Sequence, residues 1–158
     1  MNSRTKRTLT VTVVVVLVAA LVWFLYPRSF AQAMGRTFDR ESTCTVQAVL
    51  HKGGSSMIEV TLSPEDPAYE ALWALLDEQE FYPAMKKVQS QQMQLEHYAY
   101  VAFMTQEEDG WYSYQVDIPG SRYIQILGHK NRYFSPSGGL EFQQEVIDLL
   151  LAQPNTSS

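Results

Sequence analysis

The feature that most constrains this chain is an uncharged, strongly apolar run close to its beginning. Residues 9–26 contain no charged side chain, and as a helix rising about 1.5 Å per residue the run is about 27 Å long. A bilayer core is about 30 Å thick and is crossed by about 20 apolar residues, whereas a buried strand has about 4–8 residues. We therefore predict an N-terminal transmembrane helix over residues 9–27, with the lipid bilayer as its partner.

Basic residues on the two sides of the run predict its orientation. Arg4, Lys6 and Arg7 precede it, whereas Arg28 alone follows it closely. Because positively charged flanks stay on the cytoplasmic side of a membrane, residues 1–8 are expected to form a cytoplasmic tail. The chain beyond the anchor is then extracytoplasmic, and the protein is a single-pass protein of the cell membrane.

A cleaved export signal is the alternative to an anchor. Ala31, Gln32 and Ala33 form the A-x-A pattern that signal peptidases read. The apolar run is longer than the usual signal core of about 7–15 residues, and Arg28 and Phe30 crowd the cleavage site. An uncleaved signal anchor is therefore favoured over secretion after cleavage near Ala33.

The rest of the chain is acidic and has the size of one domain. Four of the twelve basic residues lie in residues 1–28, so residues 29–158 carry eight basic and all seventeen acidic residues, a net charge of −9. This balance argues against nucleic acid as a partner, because phosphate contact needs a basic patch. We expect a linker over residues 28–43, an α+β domain over residues 44–153 and a disordered tail over residues 154–158. For the linker, the alternative is a short helical extension of the anchor that carries Phe30, Met34 and Phe38. Cys44, the single cysteine, is expected to be a buried thiol.

Alternating and helical periodicities predict the elements of this domain. Period-two alternation predicts a hairpin over residues 44–62 with Gly53-Gly54 at its turn, and a second over residues 97–118 closed by Asp109-Gly110. Shorter strands are expected over residues 81–88, where Pro83 indicates a sheet edge, and over residues 122–127 and 130–134. Apolar stripes of helical spacing predict helices over residues 66–79 and 140–153. The predicted class is α+β, with one antiparallel sheet of five to seven strands and two helices packed on one face.

No signature of catalysis or of a cofactor stands out in the sequence. The G-x-S-x-G, P-loop and G-x-G-x-x-G patterns do not occur, so no catalytic residue and no cofactor are predicted. His51, His97 and His129 lack the close spacing of zinc ligands, and no metal site is predicted. Glu107-Glu108-Asp109 is interpreted as a solvated hairpin tip, with calcium binding as the alternative.

One aromatic pattern is a candidate binding surface. If the alternation is assigned correctly, Tyr98, Tyr100, Trp111 and Tyr123 lie on the outward face of the sheet, beside Ser113 and Gln115. Exposed rings next to polar groups bury much area at a small cost in entropy. They are suited to a protein, peptide or glycan partner. The alternatives are that the two faces are reversed, or that a helix or another subunit covers the rings.

The chain layout resembles a group of small proteins. The segments "RTKRTLTVTVVVVLVAALVWFLYP", "LSPEDPAYEALWALL" and "EEDGWYSYQV" resemble uncharacterised single-pass membrane-anchored α+β proteins of Gram-positive gut bacteria. The resemblance extends over the whole chain. It implies a location and an architecture, and it carries over no functional residue.

These observations lead to three hypotheses about function. The first is a non-enzymatic binding or interaction domain tethered to the outer side of the membrane. The second is a cell-envelope enzyme whose site is not visible in the sequence, and the third is a regulatory subunit of a membrane complex. A deep pocket with clustered acid, base and nucleophile would favour the second, whereas a flat aromatic face would favour the first.

Overall fold

The computed structural model describes residues 3–35, 37–52, 56–84, 94–127 and 131–154. Within these ranges, the four helices are α1 Ser3–Leu25, α2 Phe30–Met34, α3 Pro67–Asp77 and α4 Gly139–Leu151. The strands are β1 Thr43–Lys52, β2 Ser56–Leu62, β3 Phe81–Ala84, β4 His97–Glu107, β5 Gly110–Ile118, β6 Ile124–Leu127 and β7 Arg132–Pro136. The elements therefore follow the predicted order of hairpin, helix, antiparallel strands and helix.

The strands form one antiparallel sheet in the order β2-β1-β4-β5-β6-β7-β3. Alternate residues of each strand point to a single core, which also contains the buried residues of α2, α3 and α4. Period-two alternation has this effect because neighbouring side chains of a strand point to opposite faces. The prediction of an α+β fold with one antiparallel sheet is confirmed.

The turns and edges agree with the sequence in part. Glu107 pairs with Gly110, so Glu108 and Asp109 form the β4–β5 turn, one residue earlier than predicted, and Gly110 begins β5. Pro83 lies in β3 at an edge of the sheet, as predicted. The predicted Gly53-Gly54 turn and the end of the predicted 81–88 strand lie outside the described residues.

Residues 28–43, which were expected to form a linker, contribute to the core. Ser29 begins α2 with a capping box, in which its hydroxyl accepts from the Gln32 amide nitrogen and the Gln32 side chain accepts from the Ser29 amide nitrogen. Phe30, Met34 and Phe38 are all buried. The ring of Phe30 packs against four other aromatic rings, those of Phe38, Trp73, Phe81 and Phe103.

A backbone bridge joins the end of the first helix to the sheet. The Arg28 amide nitrogen lies 3.0 Å from the Phe81 oxygen, and the Phe81 amide nitrogen lies 2.9 Å from the Arg28 oxygen. Cleavage near Ala33 would remove this bridge and Phe30 from the domain. A signal cleaved at that position would therefore take a fully buried aromatic side chain with it.

Helix α1 covers most of the predicted anchor and ends at Leu25, two residues before Pro27. Its large apolar side chains between Leu9 and Leu25 are exposed wherever their surroundings are described. Among the residues that the structure describes, no helix is both long enough and apolar enough to cross a membrane. The predicted helix is present, and its membrane-spanning role stays a prediction.

Candidate binding face

The side of the sheet opposite the core, here called the outer face, carries a continuous row of side chains. Residues at the same level of the sheet are paired from strand to strand, so the row can be read from the register. In sheet order it consists of Glu59, Val49, Tyr100, Asp117, Gln125, Tyr133 and Ala84. The row combines two tyrosine rings, two carboxylates and one amide.

His51 and Tyr98 lie on the outer face directly beside this row, next to Val49 and Tyr100. His51 pairs with Tyr98, and their rings stack with centres 4.6 Å apart and planes 8° apart. Tyr98 lies two residues before Tyr100 on β4, on the same face. Both tyrosines are half-buried, so their rings are held against the sheet while part of each remains open to a ligand.

Tyr123 lies at the same end of the sheet as Tyr98. It directly precedes β6, and its backbone is held by the Ser121 hydroxyl, which accepts from the Tyr123 amide at 3.4 Å and donates to the Tyr123 oxygen at 3.2 Å. Ile118, which ends β5, pairs with Ala99, the neighbour of Tyr98. Tyr123 is thus two strands from Tyr98 and Tyr100, at the same end of the sheet as Tyr98.

Trp111 lies apart from the other three. It pairs with Gln106, six residues beyond Tyr100 on β4, which is about 20 Å at about 3.4 Å per residue. Its side chain is 61 % exposed at the β4–β5 hairpin. The prediction placed Trp111 on the correct face, but the length of the hairpin keeps its indole from sharing a site with Tyr100.

Asp117, like Gln125 and Tyr133 of the same row, was not predicted from the sequence as part of this face. It pairs with Tyr100 on one side and with Gln125 on the other, and it forms no ion pair within the described part of the chain. Burial raises the pKa of the Asp117 carboxyl, and burial together with the Asp117 charge raises the pKa of Tyr100. The signal was present in the sequence, because aspartate is depleted in strands and Asp117 lies within the predicted hairpin of residues 97–118.

Acidic side chains at the tip of the β4–β5 hairpin accept hydrogen bonds from tyrosines of β5. The Tyr112 hydroxyl donates to Asp109 Oδ2 at 2.8 Å, which is the main reason that the pKa of Tyr112 is raised. The Tyr114 hydroxyl donates to Glu107 Oε1 at 3.1 Å. No group of three or more metal-ligating side chains occurs among the described residues. His129 lies outside them.

Cys44 is half-buried rather than fully buried. It is the second residue of β1, and its thiol lies 3.5 Å from the Ser42 oxygen. The thiol belongs to the end of the sheet, far along β1 from His51. It therefore has no part in the outer row around Tyr100.

Replacing Asp117 by asparagine is expected to raise the free energy of unfolding at pH 7. The raised pKa means that the folded state binds the proton more tightly than the unfolded state, so the stability from this group is present at low pH and is lost as the pH rises through the native pKa. Wild type and Asp117→Asn should converge in stability below the ordinary carboxyl pKa of 3.8. Urea unfolding between pH 3.5 and 8 measures this, and a difference independent of pH would contradict it.

Comparisons with known proteins leave the face to be interpreted from its own residues. No protein-family model matches the chain, no curated protein matches it, and no solved structure matches it. The outer face around Tyr98, Tyr100 and Asp117 is the part of the described structure that combines half-buried rings with an unpaired charge. An unpaired, partly buried carboxylate is costly to stability and is more frequent at functional sites than elsewhere.

Proposed function

We propose that this protein is a membrane-tethered, extracytoplasmic, non-enzymatic binding domain whose ligand lies across the outer face of the sheet. The observation that carries the proposal is the outer row itself, in which Tyr100 and Asp117 lie side by side on a face that no described helix covers. All the described helices beyond α1 pack on the other side of the sheet. A flat face of this kind suits binding along an extended ligand.

The exposure of the α1 side chains supports membrane attachment. Large apolar residues follow one another around the whole helix, and their exposed fractions range from 49 % at Val13 to 69 % at Trp23. Contiguous apolar surface of this extent is unfavourable in water. A bilayer provides the apolar surroundings, and the uncharged run of residues 9–26 is close to the length that a bilayer needs.

The orientation and the retention of the anchor follow from its flanks. Arg4, Lys6 and Arg7 favour a cytoplasmic N-terminus, which leaves the sheet on the outer side. Retention of the anchor is favoured because Ala33 and Met34, on the two sides of the candidate cleavage position, are buried in the core. Folding of the domain would therefore hide the cleavage site.

The chemistry of the face favours a glycan over a peptide. Extended peptides usually add to a sheet edge through backbone hydrogen bonds, whereas the candidate residues lie on the face. Tyrosine rings can stack on sugar rings, and Asp117 and Gln125 supply a carboxylate and an amide for hydroxyl or amino groups. The net charge of −9 beyond residue 28 disfavours an anionic ligand, so a neutral or amine-bearing envelope glycan fits best.

The spacing of carboxylates supports binding over glycan hydrolysis. Glycoside hydrolases place two carboxylates about 5–9.5 Å apart. On the outer row the other acid is Glu59, which lies three strands from Asp117. Three strand spacings amount to about 14 Å, which is too far for the two groups to act on one glycosidic bond.

Binding of soluble oligosaccharides tests the ligand class. We expect chitin-type and deacetylated glucosamine oligomers to bind wild-type protein, and Tyr100→Ala to weaken binding at least about tenfold, the value of one lost ring contact. Asp117→Asn should weaken binding of the amine-bearing oligomer more than that of the neutral one. The affinities can be measured by isothermal titration calorimetry.

Trp111→Ala is the matched control for this experiment. It removes an aromatic ring from the same hairpin and the same face, but about 20 Å from Tyr100, and we expect unchanged affinity. Equal losses from Trp111→Ala and Tyr100→Ala would contradict a site centred on Asp117. Binding of an extended peptide in place of both oligomers would contradict the glycan class.

Membrane attachment is tested by charging the middle of α1. Val14→Arg/Val16→Arg places two charges in the apolar run, and each costs about 2.5–3.5 kcal/mol at the centre of a membrane helix. We expect wild-type protein to stay in carbonate-washed membranes and the variant to be lost from them. Thr8→Arg, at the boundary of the run, should behave like wild type. In cells whose envelope admits protease, the wild-type domain should be digested without lysis, and protection until lysis would contradict the orientation.

A further inference from the structure

A cavity of about 670 Å³ lies between the C-terminal part of α1 and the domain. Ala19, Val22 and Trp23 of α1 form its apolar wall, and Arg28 and Arg132 lie on the domain side. The two arginines also line an adjoining depression of about 360 Å³ beside β3 and β7. The cavity therefore has an apolar side that continues the surface of α1 and a cationic side that belongs to the sheet.

Both guanidinium groups are held in place without a carboxylate. The Arg28 guanidinium lies 5.0 Å from the centre of the Trp23 ring and 5.9 Å from that of Phe134. Arg132 Nη2 donates to the Met34 oxygen at 2.6 Å. Among the described residues, neither arginine forms an ion pair. Each guanidinium has five N–H donors, so donors remain for an anion.

The local charge is opposite to that of the domain. Residues 29–158 have a net charge of −9, yet the described lining of the cavity contains two arginines and no acid. Two arginines that share a cavity can hold a phosphate through several charge-assisted hydrogen bonds. The occupant that fits both walls is an anion that also carries an apolar chain.

The position along α1 indicates where this occupant comes from. If the helix crosses the bilayer with its N-terminus inside, Trp23 and Tyr26 lie at the outer interface, where aromatic side chains are enriched. Lipid phosphates lie at that level. We propose that the cavity binds the phosphodiester of an anionic outer-leaflet phospholipid, with Arg28 and Arg132 on the phosphate and an acyl chain along Ala19 and Val22. This inference rests on the membrane attachment proposed above.

Such a site would set the position of the domain on the membrane. The acidic domain is repelled by an anionic surface over about one Debye length, about 8 Å at physiological salt. The Arg28–Phe81 bridge leaves no free linker between α1 and the sheet. A headgroup held by both arginines would therefore fix the domain close to the bilayer in one orientation.

The test uses the full chain in nanodiscs of phosphatidylcholine containing one fifth phosphatidylglycerol, with bound lipids counted by native mass spectrometry. We expect retained phosphatidylglycerol to exceed phosphatidylcholine about tenfold after correction for composition, and Arg28→Gln/Arg132→Gln to abolish the preference. Arg28→Gln alone should reduce it, and this variant keeps the Arg132 contact to α2. Arg40→Gln removes one positive charge, as Arg28→Gln does, but beside α3 and not at the cavity. It should leave the preference for phosphatidylglycerol unchanged.

The possible outcomes distinguish failure of the lipid site from failure of the proposed membrane attachment. Failure of the wild-type protein to enter nanodiscs would overturn membrane attachment and the lipid site together. Entry with equal retention of both lipids, or with a preference that survives the double substitution, would overturn the lipid site alone. An equal loss in Arg40→Gln would also overturn it, because the preference would then reflect net charge.

Discussion

Replacing Phe30 by alanine is expected to lower the free energy of unfolding by about 3–5 kcal/mol, the usual cost of removing a buried aromatic ring. Phe30 is 1 % exposed, and its ring centre lies 5.3 Å from that of Phe103 and 5.6 Å from that of Phe81. The substitution leaves a cavity between α2, α3 and the sheet. Urea unfolding of the detergent-solubilised protein, followed by near-ultraviolet circular dichroism, measures the change.

Two control variants test whether the loss of stability comes from the position of Phe30 in the core. Phe30→Leu keeps most of the apolar volume and should cost less than half as much as Phe30→Ala. Tyr26→Ala removes a ring that is 65 % exposed, four residues earlier, and should change stability by no more than about 0.5 kcal/mol. If Phe30→Ala also stays within that range, residues 28–43 are a linker after all and cleavage near Ala33 becomes compatible with a folded domain.

Replacing Gln143 by methionine is expected to lower the free energy of unfolding by about 2–6 kcal/mol. The Gln143 side chain is fully buried; its Oε1 accepts from the Gly120 amide nitrogen at 3.1 Å and its Nε2 donates to the Ser121 oxygen. Methionine fills a similar volume without either hydrogen bond. Two buried backbone groups then lose their partner, at about 1–3 kcal/mol each.

Gln144→Met is the matched control on the same helix. Gln144 donates to Asp148 Oδ1 at 2.7 Å, but this hydrogen bond is exposed, so water replaces it. We expect a change within about 0.5 kcal/mol. Equal effects of the two substitutions in thermal unfolding would show that α4 is not fastened to the β5–β6 connection through Gln143.

The sheet and the two long helices of the domain were predictable because their signals are local and periodic. Val46, Ala48 and Leu50 are spaced two residues apart, and all three are buried in β1. Tyr69, Leu72, Trp73 and Leu76 fall on one side of α3 and are buried together. A strand or helix at the surface of a core must bury one face and expose the other. This requirement produces the period in the sequence and also the pattern of burial in the fold.

The place of α2 in the core was not predictable, for the opposite reason. The spacing of Phe30, Met34 and Phe38 allows a short helix, but a helix of five residues, Phe30–Met34, is too short for its pattern to show what it packs against. Its stability comes from Ser29 at its start and from ring contacts with Phe81 and Phe103, which are far away along the chain. Polar residues of the same stretch, such as Gln32 and Thr37, indicated a linker.

The candidate face was predictable as a set of residues but not as a site. Alternation placed Tyr98, Tyr100 and Trp111 on one side of the sheet, and the register agrees. Which of them are neighbours depends on the lengths of β4 and β5 and on the pairing of β5 with β6. Those pairings separate Trp111 from Tyr100 and bring Asp117 beside it.

The sequence by itself determined the α+β class, the strands and helices of the domain, its acidity and the apolar helix at residues 9–25, because each depends on the side chains of a short stretch. Only the tertiary structure decided that residues 28–38 belong to the core, that Arg28 is paired to Phe81, and that Arg28 and Arg132 share a cavity. These features join residues far apart in the sequence: Arg28 is 53 positions from Phe81 and 104 positions from Arg132. Such contacts form only when the packing of the whole core makes them favourable, and no local pattern encodes them.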